Sequence, residues 1–66
     1  MGVYYNRGDG ILEVIIRDDS GGKVEHFKMN LKDVQAQAKL FKILQSKYGI
    51  KMTPEDMKED EGFFDF

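Results

Sequence analysis

EDEGFFDF, residues 59–66, sets Glu59, Asp60, Glu61 and Asp65 around Phe63, Phe64 and Phe66. These are residues for recognition rather than bond making. Carboxylates steer an approach to a basic surface, and aromatic rings supply the apolar area once contact is made. Each buried ring gains about 1.5–3 kcal/mol, offset in part by ordering the segment. Three arrangements meet this pattern. The rings fold back and complete a small core, they stay mobile until a partner orders them, or Phe66 and a chain-end carboxylate are captured as one unit.

The parts for catalysis are few. With one histidine and no cysteine, nucleophilic and thiolate metal chemistry lack their usual residues. His26 is expected on a strand opposite Ile15, with no nucleophile beside it. RGD, residues 7–9, lies between strand-like runs with a further glycine and reads as a turn. GDG and SGG precede no helix, so neither is a phosphate loop. The chain is therefore expected to be no enzyme and to need no cofactor or metal. Lys32, Lys39, Lys42 and Lys47 form a loose basic stripe that could touch phosphate, but with a pI near 5.2 a solvated helix face is the simpler reading.

The net charge of −2 conceals an asymmetry: residues 1–52 hold nine basic and six acidic side chains, and residues 53–66 hold one basic and six acidic. Such a split marks an interaction tail. A chain of 66 residues makes one small, marginally stable domain. MGVYYNRGDG has no apolar h-region, Asn6 stands where a myristoylation signal has Ser or Thr, and no apolar run exceeds three residues. With no cysteine, a cytoplasmic protein without membrane segments is expected.

ILEVIIRD (11–18) and KVEHFKM (23–29) around the turn signal DSGG predict a hairpin. Val14 opposite Phe27 sets Leu12 against Met29, Glu13 against Lys28 and Asp18 against Lys23. One face then carries Leu12, Val14, Phe27 and Met29, and the other Ile11, Ile15, Val24 and His26. VYYN (3–6) is a possible third strand that would cover part of that second face with Val3 or a tyrosine. Asn30 suits a helix N-cap, and residues 31–48 carry a stripe of Leu31, Val34, Ala38, Phe41, Leu44 and Tyr48, with Ile43 projecting among the lysines. Gly49 ends the helix, and Thr53-Pro54 starts a short turn. The expected fold is α+β: a two- or three-stranded antiparallel sheet on one long helix over residues 1–50, and a flexible acidic-aromatic tail over residues 51–66 whose last five residues can be removed without loss of the fold.

The acidic Asp65-Phe66 ending resembles the tips of single-stranded-DNA-binding proteins, although the chain is too short for their barrel. Across its length, in the order hairpin, helix, tail and in KLFKILQSKYGIKM, the chain resembles the small archaeal inhibitors of the DNA sliding clamp found in the Thermococcales. That resemblance implies a protein, monomeric when free, that binds the clamp, PCNA, through its C-terminal segment and blocks clamp-dependent replication. Clamp clients carry Gln, a small aliphatic residue three positions on, and an aromatic pair after two more. Phe63-Phe64 supplies the pair, while Met57 and Asp60 fall on the other two positions and depart from the pattern. Met57 would add an apolar contact if residues 58–62 loop out, and Glu59, Asp60 and Glu61 would steer the approach. The alternative is a nucleic-acid-associated module with a lysine helix face and a protein-recruiting tail.

Overall fold

β-Branched and aromatic residues are dense in residues 3–5 and 11–16 and recur at Val24 and Phe27, and each run pairs with the next. The computed structural model describes residues 1–66. Strands β1 (Gly2–Asn6), β2 (Ile11–Arg17) and β3 (Lys23–Asn30) are followed by helix α1 (Val34–Tyr48) and strand β4 (Glu61–Asp65). The strands form one antiparallel sheet of four in the order β3-β2-β1-β4. The α+β class is as expected. The sheet of two or three strands is corrected to four, because residues 61–65 add a strand beside β1.

The hairpin keeps its predicted register at Leu12–Met29, Glu13–Lys28, Val14–Phe27 and Ile15–His26. It departs at the turn. A bulge between Ile16 and Arg17 sets Arg17, not Asp18, opposite Lys23. Asp18 instead closes the turn: its Oδ1 accepts from the Ser20 N–H (3.0 Å), the Ser20 hydroxyl (2.7 Å) and the Gly22 N–H (2.8 Å). The Ser20 hydroxyl, then the backbone donors, hold the Asp18 carboxyl below its ordinary value.

β1 extends the sheet sideways and does not cover its second face. Val3 pairs with Ile16 and Tyr5 with Val14, so all four side chains point to one side and are buried. Leu40 and Leu44 of α1 close over them, joined by Leu12, Ile50, Met52 and Met57. The opposite face has no helix.

α1 begins three residues later than expected. Leu31 N–H still bonds to Gly10 O at 2.9 Å, so the sheet holds this residue extended. Asn30 accepts from Lys32 N–H, and Asp33 is the cap, accepting from Ala36 N–H at 3.0 Å. The buried stripe is rotated accordingly. Val34 is 73% exposed and Ala38 is exposed, Leu40 is buried, and Ile43 is half-buried. Gly49, at φ 67°, ends the helix, and the bond from Ile50 N–H to Leu44 O turns the chain back onto the core.

One polar cluster pins β3 to the helix end. Glu25 accepts from the Tyr48 hydroxyl and from Lys47 Nζ. The tyrosine first, then the lysine, holds the Glu25 carboxyl below its ordinary value. A depressed carboxylate adds stability above its unfolded value, and that stability is lost as pH falls. Wild-type protein should therefore lose stability more steeply than Glu25→Gln as pH falls below about 4.5 in urea titrations.

Two glycines let rings cross from strand to strand. A Cβ on Gly62 would stand 2.7 Å from the Tyr5 ring, and one on Gly2 would stand 2.7 Å from the Phe63 ring. Tyr5 is buried and has nowhere to go, whereas Phe63 is exposed and can swing aside. Gly62→Ala should cost about 1–3 kcal/mol and Gly2→Ala under about 1 kcal/mol. Denaturant midpoints with unchanged slopes would check both values.

Candidate docking edge

β4 is held at both ends by backbone bonds. Arg7 N–H donates to Asp60 O (2.8 Å), and Phe66 N–H donates to Met1 O (2.7 Å). The Arg7 guanidinium also donates to the carbonyls of Met57 and Lys58, each at 3.0 Å. The arginine of the RGD turn thus positions the entry to β4. Upstream, Thr53 and Asp56 close the Pro54–Met57 turn: Asp56 Oδ2 accepts from Thr53 N–H at 2.9 Å. That turn drives Met57 into the core.

The expected site residues separate into two groups. Met57 is only 4% exposed and packs in the protein's own core, so it is no surface contact. Phe64 is half-buried and stacks on Tyr5, ring centres 6.1 Å apart. Phe63 is 61% exposed and Phe66 is 52% exposed. Glu59, Asp60 and Glu61 are all exposed. The split of Phe63 from Phe64 follows from strand geometry, in which successive side chains point to opposite faces. Flexibility from residue 51 is not confirmed, since Met52 and Met57 are buried and residues 61–65 have sheet partners. Removing residues 62–66 would take away most of β4 together with Phe64, so it would test the fold as well as the tail.

The bare sheet face adds residues that the tail alone did not reveal. Cross-strand pairing aligns His26, Ile15, Tyr4 and Phe63 in one row. Glu13 Oε2 lies 2.7 Å from His26 Nε2. The Tyr4 hydroxyl donates to Glu61 Oε2 at 3.4 Å. Period-2 alternation in VYYN and ILEVII was the available signal for this face. Which face α1 would leave open was not visible in it.

No cluster of three or more His, Asp or Glu side chains converges as a metal-holding group. Shallow cavities of about 130, 260 and 270 Å³ lie near Arg7 and Met57, near Asn6 and Lys28, and near Arg17, Phe63 and Asp65, each below the ~300–1,000 Å³ of an ordinary small-molecule pocket. No helix is long and apolar enough to cross a membrane. Comparison with protein-family models, with curated proteins and with solved structures finds no match to this chain.

Phe64→Ala should lower unfolding free energy by about 2–4 kcal/mol, whereas Phe63→Ala should change it by under about 1 kcal/mol. Parallel urea denaturations of the two variants measure the difference.

Proposed function

We propose that this chain is a binding protein, not a catalyst, that docks the DNA sliding clamp through β4 and restrains clamp-dependent replication in the cytoplasm. The observation that carries this reading is the exposure of Phe63 on an edge strand and of Phe66 just beyond it, beside the exposed carboxylates of Glu59, Asp60, Glu61 and Asp65. Large exposed aromatics at a polar edge mark protein contact sites. The sequence resemblance to archaeal clamp inhibitors supplies the partner.

The strand conformation changes which residues do the binding. An aromatic pair entering one apolar pocket would require Phe63 and Phe64 on one side. With β4 in place they are on opposite sides, and freeing Phe64 would strip Tyr5 of its stacked neighbour. Docking therefore uses Phe63 on the bare face and, as a separate contact on the other side of the strand end, Phe66, not one aromatic pair in one pocket, while Phe64 stays packed on Tyr5. Glu59, Asp60 and Glu61 steer the approach. A free monomer binding one clamp subunit meets these requirements.

Titration of the chain into an archaeal sliding clamp, followed calorimetrically, tests the reading. Phe63→Ala combined with Phe66→Ala should weaken binding at least about tenfold, as expected for aromatic anchors. Wild-type affinity should fall only modestly with salt. Unchanged affinity in the double variant would sink the proposal. A steep salt dependence that follows Lys32, Lys39 and Lys42 would move the function to phosphate binding instead.

A further inference from the structure

The backbone of β4 has one side in use and one side free. Antiparallel pairs alternate between residues that exchange hydrogen bonds and residues that do not. The bonds at Asp60 and Phe66 fix the phase. Gly62 and Phe64 share the phase of Asp60 and Phe66 and direct their N–H and C=O groups at β1. Glu61, Phe63 and Asp65 direct theirs away from the sheet. Nothing in the fold lies beyond them, because β4 is the last strand in the order β3-β2-β1-β4.

The side chains on this edge form a pattern of acid, aromatic, acid. On β1, Glu61 faces Asn6 and Asp65 faces Gly2, so neither meets a cation across the strand. The Met1 ammonium lies 4.0 Å from Asp65 but only 2.5 Å from Asp19. The other edge differs. β3 presents Lys23 opposite the bulged end of β2 and Lys28 farther along, the kind of edge that resists strand addition. β4 has no lysine, proline or bulge to block it.

We propose that the free edge of β4 takes up an extended partner segment as a fifth, antiparallel strand, and that this segment carries basic, apolar and basic residues opposite Asp65, Phe63 and Glu61. Main-chain bonds to Glu61, Phe63 and Asp65 supply the attachment, and the alternating side chains supply the selection. A second copy paired edge to edge through β4 is a poor occupant. Antiparallel pairing centred on Phe63 would set Glu61 against Asp65 twice, and like charges directly opposite repel. This inference rests on the reading of β4 as the docking strand and names the chemistry of the segment that the partner brings.

The test uses the full chain, isotope-labelled, with amide exchange read by NMR. The probe is the end-blocked peptide Thr-Lys-Thr-Val-Thr-Lys-Thr, and the control replaces both lysines with glutamate. In the free protein the amides of Glu61, Phe63 and Asp65 should exchange fast, and those of Gly62, Phe64 and Phe66 slowly. The lysine peptide should slow the first three, half-saturating at about five- to tenfold lower concentration than the glutamate peptide. The exposed double variant Glu61→Lys with Asp65→Lys should reverse that preference. Equal saturation by both peptides, or no protection by either, overturns the inference. So does protection that appears at Glu61, Phe63, Asp65 and Lys28 on raising protein concentration alone, which would make a second copy the occupant. The clamp is read separately. Peptide protection without clamp binding keeps the edge and rejects that partner, and clamp binding that leaves these amides fast keeps the partner and rejects strand addition.

Discussion

Tyr5 fills the space above Gly62 and stacks on Phe64, and this interlock makes β1 an interior strand rather than an edge. Tyr5 is 1% exposed and Val3 is fully buried. Strand β1 can reach that degree of burial because β2 flanks it on one side and β4 on the other. A chain this small has little apolar area to spare. Drawing the C-terminal segment into the sheet buries part of Phe64, and the connection between α1 and β4 buries Met52 and Met57. The segment that looked separate is part of the body's core.

That interlock also divides the aromatic cluster. Once residues 61–65 are a strand, adjacent side chains must face opposite ways. Phe64 belongs to the core and Phe63 to the bare face. Phe66, beyond the last strand residue, shares the side of Phe64, its ring centre 6.4 Å away, yet stays half open to solvent. The edge is shaped without a partner, so a segment that docked there would not repeat the cost of ordering β4.

The acidic residues have two effects at one place. Exposed strand edges invite pairing with other chains, and charge is the usual protection. Glu61 and Asp65 would face each other across a β4–β4 pair and oppose it by repulsion. On the proposed reading, the same carboxylates would attract a basic partner. Arg7 ties the chain just before β4 through three carbonyls, those of Met57 and Lys58 from its guanidinium and that of Asp60 from its N–H. The tie keeps Glu61 and Phe63 at a defined place on the edge.

Local patterns in the chain were sufficient for the hairpin register, for helix α1 and for its end at Gly49. Those features depend on neighbours within a few residues: alternation, cross-strand charge pairs, and a positive φ that glycine adopts freely. The helix start was misjudged because Asn30 and Asp33 are both competent caps. The choice between them was made by the long-range bond from Leu31 to Gly10. The Asp18–Lys23 pair failed because Asp18 found closer donors inside its own turn. The tail was the largest departure. KEDEGFFDF has no periodicity of its own that signals a strand, and β4 forms because β1, some 55 residues earlier, offers an open edge with matching glycines. The residue types alone established that the chain ends in an acidic-aromatic segment. Which ring faces outward was decided only by tertiary structure, because a strand at a sheet edge takes its orientation from the strand it joins.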